Sequence, residues 1–189
     1  VAAGALEFRD CLPLVRHRAQ AMQDAVPAGE GAMAAILGLE DDVVRAACAE
    51  AQAASAPGQV VQAVNFNAPS QVVIAGSKAA VERAMELCKA KGAKRALPLP
   101  VSAPFHSSLM QPAADRLRAY LANVAVRKPA IDVIHNVDLS INVDPALIKE
   151  ALVGQAASPV RWAETIRKMA ALRVTHVIEC GPGKVLAGL

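Results

Sequence analysis

Over residues 9–26 the apolar positions Cys11, Leu12, Val15, Ala19, Met22 and Val26 recur at helical spacing. The spacing predicts a helix there, with Asp10 as N-cap and Pro13 tolerated in the first turn. Pro27 and Gly29 break that pattern and a different one begins. Residues 31–39 (GAMAAILGL) read as a buried strand, and residues 41–54 as a helix with Val43, Val44, Ala47, Cys48 and Ala51 on one side. Residues 60–67 and 71–76 read as two strands joined by a short Asn-Ala-Pro-Ser connection, which predicts a hairpin. Residues 77–91 form a predicted helix stopped by Gly92, and residues 93–99 a last strand. The order is βαββαβ, the ferredoxin-like split arrangement, placed over residues 29–99.

Beyond it, Pro98, Pro100 and Pro104 mark an extended passage leading to His106 and to a helix through Leu109, Ala113, Leu117 and Leu121. Residues 131–137 read as a strand. Asp144-Pro145 suits the N-cap and first turn of a helix running to about residue 155, which Ser158-Pro159 ends. Residues 161–173 read as another helix, followed by a strand at 174–180 and a Gly181-Pro182-Gly183 turn. Strands alternating with helices predict an α/β fold with a mainly parallel sheet. Residues 1–28 and 100–189 would belong to that larger domain, and the ferredoxin-like unit would be an insertion in it. The chain starts at Val1 without methionine and stops just past a turn that opens a helix, so it reads as a piece of a longer protein.

Composition narrows the function classes. With 54% hydrophobic and 20% charged residues the chain can bury a real core. Aromatic residues are only 3%, so that core is built from Ala, Val, Leu and Ile, and the stacking platforms of nucleic-acid grooves are missing. The net charge of +3 is spread along the chain, which does not imply a polyanionic ligand. Cys11, Cys48, Cys88 and Cys180 are far apart, with no C-x-x-C pair and no histidine at metal-ligand spacing. They read as buried thiols of a reducing cytoplasm, with no metal. The longest apolar stretch, residues 32–39, is too short to span a bilayer, and nothing at the start resembles a signal peptide. The expectation is a soluble cytoplasmic protein with neither a nucleic-acid nor a membrane partner.

Several polar residues break the pattern. At 100° per residue Arg18 falls inside the apolar arc set by Leu12, Val15, Met22 and Val26. A guanidinium facing the core needs an anion, and its planar fork suits a carboxylate ligand or a structural salt bridge. Gln155 shares a stripe with Ile148, Ala151 and Leu152, where its amide needs a partner or simply bonds loop backbone. His106, in Ala-Pro-Phe-His-Ser-Ser-Leu, lies where an extended segment meets a helix start. The positive end of the helix dipole disfavours imidazolium, which suits a general base, although such histidines also serve as caps. Asn65-Phe66-Asn67 either line a cleft or stabilise a turn. Lys89, Lys91, Lys94 and Arg95 form a basic cluster, a solvated face or a docking patch. Gly181-Pro-Gly-Lys184 lacks the spacing and the Ser or Thr of a Walker sequence, so nucleotide binding is rejected. No serine, nor Cys180, stands in a G-x-S-x-G elbow.

Along its whole length the sequence resembles the malonyl-CoA:acyl-carrier-protein transacylases of bacterial fatty-acid synthesis. The resemblance is carried by Met22-Gln-Asp-Ala-Val-Pro, Gly31-Ala-Met-Ala-Ala-Ile-Leu-Gly-Leu, Asn65-Phe-Asn-Ala-Pro-Ser-Gln-Val-Val-Ile-Ala-Gly, Ala93-Lys-Arg-Ala-Leu-Pro-Leu-Pro-Val-Ser, Pro104-Phe-His-Ser-Ser-Leu-Met, Asn136-Val-Asp and Glu179-Cys-Gly-Pro-Gly-Lys-Val-Leu. It implies an α/β-hydrolase-like large domain with the ferredoxin-like insertion beside an active-site gorge. It further implies that Arg18 holds the malonate carboxylate, that His106 is the catalytic base, and that the Gln155 backbone carbonyl orients that base. Asn65, Asn67 and Gln71 would line the coenzyme A side, Phe105 would narrow the space at the α-carbon, and Lys94 with Arg95 would meet the acidic carrier protein. The family's serine lies in a Gly-His-Ser-Leu-Gly elbow that would end just before Val1.

The implied reaction moves malonyl from coenzyme A to the pantetheine thiol of acyl carrier protein through an acyl-serine, with no metal or cofactor. Without the serine this chain is expected to be inactive alone. Two other readings stand beside it: the acyltransferase domain of a polyketide or multifunctional synthase, and a non-catalytic ferredoxin-like binding module.

Overall fold

A computed structural model of the chain describes residues 1–101, 103–181 and 183–189. The first helix, α1 (Phe8–Asp24), starts three residues earlier than Asp10 as N-cap would place it, with Glu7 at the N-cap position. Asp10 instead lies in the first turn, where a carboxylate faces the positive end of the helix. The buried side also differs from the predicted arc, because Leu12 and Val15 are exposed while Leu14, Ala21 and Met22 are buried. Arg18 therefore sits half-buried beside the buried stripe, one turn from Leu14 and from Ala21.

A four-stranded sheet follows, with β1 (Gly31–Leu37), β2 (Val61–Ala68), β3 (Gln71–Ser77) and β4 (Arg95–Pro98) in the spatial order β2-β3-β1-β4. Every pairing is antiparallel. The hairpin expected between β2 and β3 is present, and Ser70 at its tip takes φ 58°. Helices α2 (Asp41–Ala53) and α3 (Lys78–Ala90) cover one face of the sheet. That core joins Ile36, Val44, Ala47, Val72, Ile74, Val81 and Ala84, small and branched side chains as the composition implies, around one aromatic ring, Phe66. Gly92 follows α3 with φ 100°, a backbone conformation that suits a residue without Cβ. The other sheet face carries Met33, Val64, Val73 and Ala75, and against it lie Leu99 and Phe105 from the segment after β4.

The segment after β4 passes under α1 to α4 (Gln111–Ala122), which packs on α1 and on α5 (Pro145–Ala157) through Leu14, Leu117, Leu121 and Val153. Asp144 caps α5 as predicted, its carboxylate accepting from the Ala146 N–H at 2.8 Å. A short helix, α6 (Trp162–Ala171), lies against β2. The chain is α/β. The two strands predicted at 131–137 and 174–180 are not formed, however. The first reduces to one bridge between Ile134 and Ile141, and Val177 and Ile178 of the second are exposed. A strand extends only where a neighbour takes its ladder hydrogen bonds along its length, and among the described residues neither segment has a strand beside it. The only parallel pairing among them is a single bridge between Asn65 and Val160. The predicted turn at 181–183 falls on Pro182, and the predicted extended passage crosses Ser102; both residues lie outside the described ones.

The thiols depart from expectation in part. Cys48 and Cys88 are buried, and burial pushes the Cys48 thiol up to about 12, but Cys11 is half-buried and Cys180 exposed. Among the described residues no helix is long and apolar enough to cross a membrane.

Candidate active site

His106 follows Phe105 in a turn between the sheet face that carries Met33 and Val73 and α4, and its own φ is 64°. A β-carbon makes that left-handed conformation cost about 1–3 kcal/mol, so the surroundings must hold it. Several contacts do. Ser107, fully buried, donates its hydroxyl to the Pro104 carbonyl at 2.7 Å. Gln62 on β2 accepts from the Ser108 N–H through Oε1 at 2.8 Å. Gly31 at the start of β1 lies so close that a Cβ there would stand 2.3 Å from the Pro104 ring.

The imidazole itself is tied to α5. His106 Nδ1 lies 2.8 Å from the Gln155 backbone oxygen. A carbonyl only accepts, so Nδ1 carries the hydrogen and Nε2 keeps the lone pair a general base needs. The availability of that carbonyl has a cause in the sequence. Its helical partner would be the N–H four residues on, but residue 159 is proline and has none. Ser158 before it is extended, as a pre-proline residue prefers, and the helix ends. It is thus the backbone of Gln155, more than its amide, that meets the histidine.

Burial holds the His106 imidazole below the ordinary histidine range; the Gln155 and Ser158 backbone contacts act upward, and the positive charge of Arg18 acts downward. The helix-start argument led to the same direction, but desolvation is the largest cause. The neutral ring is favoured.

A cavity of about 530 Å³ opens on this ring and is lined by Arg18, Asn65, Asn67, Phe105 and His106, with Met22, Met33 and Leu99 among its apolar walls. It brings together residues 88 positions apart in the chain, from α1, β2 and the histidine turn. Among the described residues Arg18 is the one Lys or Arg lining it. Burial lowers the pKa of its guanidinium, and among the described residues Arg18 forms no ion pair. The structural salt bridge that its position left open is not there. A second cavity of about 390 Å³ also reaches His106, walled by Arg45, Gln52, Gln62, Ser108 and Pro159. A larger cavity, about 650 Å³ beside Pro27 and Lys78, contains none of the candidate residues, so chemistry and not size identifies the site.

Gln71, Lys94 and Arg95 stand outside the 530 Å³ cavity. Gln71 opens β3, paired with Leu37 and Ala68. Lys94 and Arg95 are exposed at the start of β4. Of the basic cluster, Lys89 pairs with Glu86 and Lys91 with Glu50, both at 2.9 Å, while Lys94 and Arg95 have no ion pair among the described residues. Gln62 escaped sequence reading because an isolated glutamine in a strand carries no signal, whereas Pro159 carried one in its missing N–H. Among the described residues no group of three or more His, Cys, Asp or Glu could hold a metal ion.

The chain is 53% identical over 189 residues to the malonyl CoA-acyl carrier protein transacylase of Escherichia coli (strain K12), covering 100% of this chain and 60% of that one. Among solved structures it is similar to an acyl-carrier-protein S-malonyltransferase from Burkholderia pseudomallei 1710b, with TM-score 0.95 and 68% identity over 100% of this chain and 60% of the other. It is also similar to a malonyl-transacylase in complex with its type II PKS acyl-carrier protein, with TM-score 0.94 and 49% identity over 99% of this chain and 59% of the other. The chain thus spans 60% of the length of the first of these relatives. The profile of the acyl transferase domain matches residues 1–188, and the chain belongs to that family.

Proposed function

We propose that this chain carries the base and the acyl-selecting cation of a malonyl-CoA:acyl-carrier-protein transacylase of fatty-acid synthesis, with the serine nucleophile supplied from outside these 189 residues. One observation carries the reading: His106, with Nε2 unprotonated, shares a cavity with Arg18, a half-buried guanidinium that has no carboxylate partner among the described residues. His106 Nε2 takes the proton of the serine hydroxyl as its oxygen attacks the malonyl thioester carbonyl. The C–S bond breaks, the proton passes to the departing coenzyme A thiolate, and malonyl stays on serine. The carrier protein's pantetheine thiol then gives its proton to His106 and attacks the acyl-serine, which regenerates the serine hydroxyl. The Gln155 carbonyl holds the ring and stabilises the imidazolium in the role a carboxylate plays in a full triad. Arg18 takes the free carboxylate of malonate in two parallel hydrogen bonds.

Asn65 and Asn67 flank the thioester arm of coenzyme A, and Gln71 extends the same wall. Phe105 limits bulk at the α-carbon. Lys94 and Arg95, unpaired and exposed, meet the acidic carrier protein. The relatives named for malonyl-CoA and acyl carrier protein support both partners, and the reading places the protein in the cytoplasm. The antiparallel order β2-β3-β1-β4 supports a ferredoxin-like subdomain over residues 29–99, inserted in an α/β-hydrolase-like domain to which residues 1–28 and 100–189 belong. The unpaired segment 174–180 would then be a strand of that domain's parallel sheet. Similarity to the PKS carrier-protein complex favours one second reading, the same chemistry serving a polyketide synthase.

The test is covalent labelling. Incubated with radiolabelled malonyl-CoA and then denatured, the complete protein should retain label and the 189-residue chain should not. Stable label on the short chain would overturn the assignment of the nucleophile, and none on the complete protein would overturn the activity.

A further inference from the structure

The turn bearing His106 is held from two sides. On one, α5 offers the Gln155 carbonyl to the ring; on the other, β2 offers Gln62 Oε1 to the Ser108 N–H at 2.8 Å. Residues Ser108–Met110 form a single 3₁₀ turn, whose first N–H groups have no partner within it. Ser107 occupies the N-cap position but does not cap, since its hydroxyl is committed to the Pro104 carbonyl. The acceptor comes instead from 46 residues away, out of a strand locked in register with β3 through the pair Gln62–Ala75. Gln62, Ser108 and His106 wall the same 390 Å³ cavity.

We infer that Gln62 is a positioning residue for His106: by capping the Ser108 N–H from the rigid sheet it holds the histidine turn in its left-handed conformation and the ring on the Gln155 carbonyl. The physical reason is the strain. A non-glycine residue at φ 64° relaxes unless its neighbours are fixed on both sides. Ser108 is exposed, so without Gln62 its N–H turns to water and the constraint on the C-terminal side of His106 is gone. The ring then leaves its buried place, and a displacement of even about 1 Å lowers the rate of a proton transfer steeply.

The inference rests on His106 acting as the base, and the experiment separates the two. In the complete protein, Gln62→Leu keeps the bulk and removes the acceptor, while Gln62→Glu keeps an acceptor oxygen. Malonyl-transfer kcat and KM are measured together with the His106 ring titration by NMR. Gln62→Leu should lower kcat on the order of tenfold with KM within about twofold, and move the ring titration upward as burial is lost. Gln62→Glu should recover most of kcat. Unchanged kcat and titration in Gln62→Leu, or an equal loss of kcat in Gln62→Glu, overturns the inference. Absence of malonyl transfer in the unsubstituted protein would remove the function instead, and the titration shift would still decide whether Gln62 positions the ring.

Discussion

Replacing Arg18 by alanine removes, among the described residues, the one Lys or Arg lining the 530 Å³ cavity at His106. In the complete protein a malonyl group would lose two parallel charge-assisted hydrogen bonds, whereas an acetyl group, which has no carboxylate, would lose none. Breaking a fully buried ion pair costs about 3–5 kcal/mol, but Arg18 is only half-buried, so solvent recovers part of that. Hydrogen bonds to charged groups contribute about 1.5–3 kcal/mol. Taking about 2.7 kcal/mol, the ratio of kcat/KM for malonyl-CoA over acetyl-CoA should fall about a hundredfold. The acetyl value alone should move by less than about threefold. Arg18 also depresses the His106 pKa, so its removal raises that value, and the comparison belongs at about pH 8, where the ring is neutral in both proteins. Arg18→Lys should fall between, since an ammonium keeps the charge but loses the fork. An equal fall with malonyl-CoA and acetyl-CoA would refute the carboxylate role.

Because burial lowers the His106 pKa and the neutral ring is the base, the acidic limb of kcat/KM against pH should lie below the ordinary histidine value of about 6.5; a limb above it contradicts the assignment. His135 is buried, its pKa is lowered chiefly by burial, and its Nε2 has no partner among the described residues. With the folded value below the unfolded one, the unfolded chain binds more protons between them. Stability present above about pH 6.5 is therefore lost as pH falls through the folded value. His135→Asn should flatten the fall in melting temperature between about pH 7.5 and pH 5, and an unchanged slope would exclude the histidine as its source. Gly31→Ala sets a Cβ 2.3 Å from the buried Pro104 ring, and should destabilise by about 1–3 kcal/mol with a loss of transfer rate. An unshifted urea midpoint would show that the turn yields freely.

The helices and the antiparallel unit were legible because one buried face imposes its period on the sequence. Boundaries moved by only a residue or two, as at β1 and α3. The buried stripe of α1 differs from the predicted arc because Leu12 and Val15 are apolar yet exposed, and side-chain type alone does not say which apolar stripe finds a partner. The strands at 131–137 and 174–180 failed for a related reason, since apolar β-branched runs need a neighbouring strand that composition does not guarantee. In the site, Arg18 and His106 were visible as residues out of place. Their meeting in one cavity was not, nor was the capping by Gln62, because each depends on how α1, β2 and the turn before α4 are packed.

The contact between His106 and α5 has an unusual genetic address. What presents the oxygen is the length of the helix and an imino acid four residues past it, so the constraint falls on Pro159 and not on the side chain at 155. For this contact the side chain at 155 matters less than a helix that runs to that point and stops there. A replacement at 159 that restores an N–H would let the helix reclaim its own carbonyl, and the proposed base would lose its anchor with every residue of the cavity wall unchanged. An insertion or deletion of one residue inside α5 would likewise rotate a different carbonyl toward the ring. Families of such chains can be searched for drift at 155 and fixity at 159, a pattern opposite to the one expected of an acid side chain in the same place.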